Sequence, residues 1–119
     1  MSEVSFTVPL VPPSVNHYVK HTRSGRHYVT KEAIAFKEAV HIFAAHLPEP
    51  AERYEVILHV YLGKGARGDA DNFGKCALDA LASAGVIHSD SAVDIFTVKK
   101  SRDRKRPRTE ITVRTIQEV

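Results

Sequence analysis

"YEVILHVYLGKGARGDADNFGKCALDALASAG", Tyr54 to Gly85, decides the fold, because a strand period, a glycine-rich turn and a helix period follow one another within it. Val56, Leu58, Val60 and Leu62 alternate along "YEVILHVYL", and the β-branched and aromatic content favours a strand over a helix. Gly63, Gly65 and Gly68 close that strand. Phe73, Cys76, Ala77, Ala80, Leu81 and Ala84 then recur at helical spacing, and Gly85 is placed to stop the run in a left-handed conformation. The expected helix spans about Asn72 to Ala84.

The flanks extend the pattern. At the start, Val4, Phe6, Val8 and Leu10 share one face of "VSFTVPL", a half-buried strand that Pro9, Pro12 and Pro13 bring to a stop. Ser14 to Thr30 reads as a polar, basic loop or a short irregular hairpin around Ser24 and Gly25. Thr30 is a plausible cap for a first helix, in which Ala33, Phe36, Lys37, Val40, Phe43 and Ala44 keep helical spacing until Pro48 and Pro50. "VDIFTVKK" and "TEITVRTI" alternate as strands and read as a hairpin whose connection is a charged tongue. The expected order, β-α-β-α-β-β, implies an α/β (α+β) chain with two helices packed on a mixed sheet.

The 119 residues leave room for one compact domain, residues 1–119, with no internal repeat. Hydrophobic residues at 43% and charged residues at 26% fit a globular protein, and no apolar run is long enough to span a membrane. "MSEVSFTVPLVPPS" lacks the basic start and apolar centre of a secretory signal, so a cytoplasmic location is expected. The lone Cys76 reads as a small core residue.

A net charge of +3 says little by itself, but its distribution is uneven. No acid stands between Glu3 and Glu32, a span that holds Lys20, Arg23, Arg26 and Lys31. "KKSRDRKRPR", Lys99 to Arg108, carries seven Lys or Arg against Asp103 alone. Such segregation suits a partner with regularly spaced phosphates. Lys20, Lys105 and Arg106 are therefore candidate DNA contacts. Tyr18 and Tyr28 could stack on unpaired bases or pack on the core. His17 and His21 would have zinc spacing on a helix, but the surrounding prolines and glycine argue for a loop.

Against this basic background, Asp69 and Asp71 flank one alanine at the mouth of the second helix, and Asp90 follows that helix. Asp71 or Asn72 could serve as a helix cap, which accounts for one acid and not for two. A pair on a turn can also aim oxygens at one hard divalent cation. Lys75 lies four residues after Asp71, on the same helical face, and equally four before Asp79, where a surface ion pair competes. Asp90 is either an ordinary Asp-Ser turn residue or a third ligand folded back toward the helix start. His88 beside it is more simply a loop histidine than a ligand or base.

At these residues the chain resembles the RusA-type Holliday junction resolvases, small endodeoxyribonucleases of bacteria and phages. The likeness runs from "PLVPPSVNHYVKH" through "DADNFGK" and "ALDALASAG" to a following Asp and the last two strands. It implies that Asp69, Asp71 and Asp90 bind metal and, with Lys75, carry catalysis. It implies that Asn72 supports the acidic loop and that Asn16 belongs to the DNA-facing surface, to which Arg67, beside the acids, is also assigned. It implies a homodimer that uses magnesium, or manganese in its place, to nick opposed strands of a four-way junction in recombination and repair. Several relatives have two adjacent acids where this chain has Ser89 and Asp90, and "GKGARG" is less basic than the family's usual loop.

Two other functions compete. A non-catalytic, structure-selective DNA-binding protein would use the basic segments but would leave three acids beside a phosphate surface unexplained. A phosphatase or sugar-nucleotide transferase with an Asp-x-Asp motif would place it directly after a buried strand, whereas "GKGARG" intervenes here.

Overall fold

The computed structural model describes residues 2–14, 19–21, 27–66 and 72–117. Its elements follow the order β1 (Glu3–Val8), β2 (Val19–His21), β3 (His27–Val29), α1 (Lys31–Phe43), β4 (Tyr54–Leu62), α2 (Gly74–Ser83), a 3-10 turn (Asp90–Ala92), β5 (Val93–Arg102) and β6 (Arg108–Thr115). β2 and β3 form a separate antiparallel pair. The other four strands form one mixed sheet in the order β1-β6-β4-β5, with β5 parallel to β4 and the remaining pairings antiparallel.

Cross-strand register explains why one face of that sheet is apolar. Val4, Val113, Val56 and Phe96 stand opposite one another, and so do Phe6, Ile111, Leu58 and Val98. With Val60 and Leu62 they form the floor of a single core, against which both helices pack through Ala33, Phe36 and Val40 of α1 and Cys76, Ala77, Ala80 and Leu81 of α2. Period-2 and period-3.6 apolar patterns meet there, as sheet-on-helix layering requires. The opposite face carries polar rows, among them Glu3–Arg114–Glu55 and Thr7–Glu110–His59–Lys99.

The helix boundaries have local causes. Thr30 caps α1, its hydroxyl accepting from Ala33 N–H at 3.4 Å. Gly85, at φ 76°, ends the second helical run in the left-handed conformation that glycine adopts without strain. α2 starts at Gly74 rather than Asn72, and the cap position is Phe73, which makes no side-chain cap bond. Leu10 lies beyond β1 and is exposed, and Phe43, at the end of α1, turns outward.

One expectation is corrected. β5 and β6 are not a hairpin, because β4 lies between them. The chain leaves β5, crosses the end of β4 and descends as β6 on the far side. Asp103 N–H donates to Leu62 O at 2.9 Å during the crossing, and Pro107 sits so close to Gly63 that a Cβ there would stand 2.8 Å from its Cγ. Gly63 thus gives the connection room to pass over the strand end.

Candidate active site

The turn that carries Asp90 is built by its serines. Ser89 is its cap, with Oγ accepting from Ser91 N–H at 3.2 Å and lying 2.8 Å from Ser91 Oγ. Val93 N–H closes the turn on the Asp90 carbonyl, and buried Ala92 anchors it beside α2. The Asp90 side chain remains exposed, and the contact recorded for its carboxylate is a long one, 3.5 Å from Ser89 Oγ. Four aspartates fall among the described residues. Asp79 pairs with Lys75, Asp94 with Arg53 and Asp103 with Arg108, whereas Asp90 has no ion pair among the described residues. Ser89, read from sequence only as the place of a missing acid, therefore has its own role in shaping the turn; the signal was the cap pattern Ser-Asp-Ser-Ala.

Lys75 stands in the first turn of α2 with its side chain 60% exposed and Nζ 3.5 Å from Asp79 Oδ2. The competing surface pair is thus present, but an exposed pair of this kind contributes only about 0–1 kcal/mol, so Nζ is readily diverted to a stronger anion. Asn72 is half-buried immediately before buried Phe73. Along the chain, Lys75 and Asp90 flank the two ends of α2. Asp69, Asp71, Arg67 and Asn16 lie outside the described residues, as do His17 and Tyr18; Lys20 is placed on β2, opposite Tyr28. Among the described residues no three His, Cys, Asp or Glu side chains gather as a metal site.

The connection between β5 and β6 is an ordered turn. Asp103 accepts from Lys105 N–H at 3.1 Å, Arg106 N–H at 3.2 Å and Arg108 Nη1 at 2.8 Å. The Arg108 bond, before the backbone bonds, holds the Asp103 carboxyl below its ordinary pKa. Arg108 also lies over the Tyr61 ring at 3.8 Å, fixing the turn to β4. Lys105 and Arg106 point into solvent from this base.

Two candidates take their plainer reading. Cys76 is buried, and loss of hydration pushes its thiol up to about 12, which keeps it protonated and unreactive. His88 is an exposed loop residue whose Nε2 lies 3.2 Å from Glu52 O and whose ring sits near Tyr54.

Residues 9–114 match the sequence model of the family described as Endodeoxyribonuclease RusA. The chain is 32% identical over 116 residues to the Crossover junction endodeoxyribonuclease RusA of Escherichia coli strain K12, an alignment that covers 95% of each. It is 31% identical to the protein of that name from Shigella sonnei and 30% to that of Enterobacteria phage 82, each over 95% of both chains. No helix of the described residues is long and apolar enough to cross a membrane.

Proposed function

Because this chain belongs to the Endodeoxyribonuclease RusA family, we propose that it is a Holliday junction resolvase, which opens four-way DNA by paired symmetric nicks in recombination and repair with magnesium as cofactor. The observation that carries the site is Asp90, the described aspartate without a cationic partner, held exposed on a turn that its own serines define. A carboxylate kept free of Lys and Arg retains its oxygens for a hard cation, and this is the donor chemistry that magnesium takes. Asp69 and Asp71 would complete the set, with manganese able to substitute.

Asp90, with Asp69 and Asp71, would hold the cation, which would supply Lewis-acid activation of the scissile phosphate and of water. The chain's own residues do the rest. Lys75, released from its weak pair with Asp79, positions the attacking water or offsets charge that grows on the phosphate oxygens in the transition state. Asn72 supports the acidic loop. Lys105 and Arg106, presented by the Asp103 turn, contact backbone phosphates, as do Asn16, Lys20 and Arg67. Paired nicks on a two-fold junction call for two such sites, which a homodimer supplies.

The deciding experiment incubates the protein with magnesium and a synthetic four-way junction beside a linear duplex of equal length. Symmetric nicks in the junction alone are the expected result. Junction binding without cutting would instead mark a structure-selective DNA-binding protein, and equal cutting of both substrates would rule out a resolvase.

A further inference from the structure

β4 ends in a turn, Gly63 to Ala66, in which Ala66 N–H donates to Gly63 O at 3.3 Å and Gly65 takes φ 77°. The end of β5 lies alongside, and Arg102 Nη1 donates to Ala66 O at 2.9 Å. Between them is a cleft of about 320 Å³ lined by Gly63, Lys64, Gly65, Ala66, Arg102 and Arg104. Every ionised side chain among the described residues of that lining is a cation. Two larger clefts among the described residues differ, since Glu49 lines both.

The cations here differ from three other arginines of the fold. Arg53, Arg108 and Arg114 each pair with a carboxylate, but among the described residues none of Lys64, Arg102 and Arg104 does. Asp103, which separates the two arginines in sequence, is turned away and fully engaged by Lys105, Arg106 and Arg108. Three like charges gathered without a counter-charge among the described residues repel one another, and an anion in the cleft relieves that repulsion. Arg102 is held by a carbonyl, so its remaining donors are already oriented in the planar fork that suits phosphate oxygens. Lys64, Gly65, Arg102 and Arg104 are exposed, so the cleft is open and admits a group carried on a polymer. It also lies at the carboxyl ends of the parallel strands β4 and β5, on the side of the sheet end from which the chain runs on toward Asp69.

We propose that Lys64, Arg102 and Arg104 form a phosphate clamp that grips a non-scissile backbone phosphodiester of the DNA substrate. The clamp rests on the nuclease reading above and adds three contacts to it. Lys64 of the clamp stands five residues along the chain from Asp69.

The test uses the full chain and a four-way junction with EDTA, so that binding is read without cutting. Lys64→Gln/Arg104→Gln removes two exposed charges and leaves the Arg102 bond to Ala66 in place. Its junction Kd should rise about tenfold, and the slope of log K against log salt should flatten by about one. Arg114→Gln is the control, because six residues of β6, roughly 20 Å, separate it from the cleft end; its Kd should stay within about twofold of wild type. Wild-type affinity and slope in the double variant would overturn the clamp and leave the nuclease reading standing.

A second arm titrates 15N-labelled wild-type protein with a thymidine dinucleotide phosphodiester and, separately, with inorganic phosphate. Amide shifts at Gly63 and Gly65 with the dinucleotide support the clamp. Shifts with inorganic phosphate alone, or with neither, overturn it. Should wild-type protein neither bind nor cut the junction, the nuclease reading fails, and this titration decides the cleft on its own.

Discussion

Asp90→Asn isolates the residue on which the proposed site turns. The exchange is nearly isosteric and exposed, so stability should change by no more than about 0.5 kcal/mol. It removes a negative charge and a hard oxygen donor, so junction cleavage should fall by about two orders of magnitude or more. Junction binding should persist or tighten, because one acid fewer faces the phosphates. Cleavage and gel shift on the same preparation give the answer, and wild-type cleavage would reduce Asp90 to a turn residue, a role that Asn fills equally well. Cys76 offers a second check at this scale. A buried thiol raised to about 12 should react with a thiol reagent at pH 8 only as fast as the core opens, and at full speed in denaturant. Fast labelling of the native protein would contradict its burial between α2 and the sheet. The sign in alkali follows: the unfolded thiol ionises first, so Cys76 should cost stability as pH rises from its ordinary pKa toward about 12.

Elements were legible in the sequence where one period ran uninterrupted. "YEVILHVYL" was read as Tyr54 to Leu62 and is β4 to the residue, because its alternation matches a strand buried on one face. Thr30 announced α1 as a cap, and Gly85 announced the end of the second helix. Pairing was not legible, since alternation says which face of a strand is apolar and nothing about its neighbour. "VDIFTVKK" and "TEITVRTI" looked like a hairpin for that reason, while the structure places β4 between them. The physical sign was Gly63, which seemed only to end a strand but gives Pro107 room to cross it. Gly63→Ala should therefore lower stability by about 1–3 kcal/mol in a urea titration, as overpacking does; an unchanged midpoint would mean that the crossing shifts freely. The crossing itself should act as a phosphate contact. Lys105→Ala/Arg106→Ala should weaken binding to every DNA shape and flatten its salt dependence, and an unaltered slope would leave it a solvated turn. Asp103 should hold that turn in shape above the ordinary carboxylate range and release it as pH falls through its depressed folded value. The candidate site was legible only as spacing. Asp-x-Asp and the later Asp could be read as one metal site, and Lys75–Asp79 as an i,i+4 pair, but spacing does not show that Arg53 pairs with Asp94, 41 residues away, while Asp90 is left without a cationic partner among the described residues.

Across the whole molecule, charge is sorted along the sheet. Where β6 ends and β4 begins, Arg114 is neutralised by Glu3 and Glu55, and Arg53 by Asp94. At the other end of β4, Lys64, Arg102, Arg104, Lys105 and Arg106 have no carboxylate partner among the described residues. A polyanion is thus drawn to the cationic end of each chain, while Asp90 stands before β5 at the opposite end, and a junction that reaches both restricts how two chains can act on it. A four-way junction has two-fold symmetry, so two equivalent strands meet two equivalent sites only if the chains are related by a matching two-fold axis that leaves both cationic ends on the DNA side. An isologous dimer satisfies this, while a head-to-tail pair would turn one cationic end away. We therefore expect sedimentation equilibrium at micromolar protein to give twice the chain mass. Mixing wild-type chains with excess Asp90→Asn chains should yield heterodimers that nick one strand of a junction and leave its partner uncut. A monomer throughout the micromolar range, together with paired nicks at the wild-type rate from such mixtures, would show that each chain cuts independently and that the dimer is no part of the mechanism.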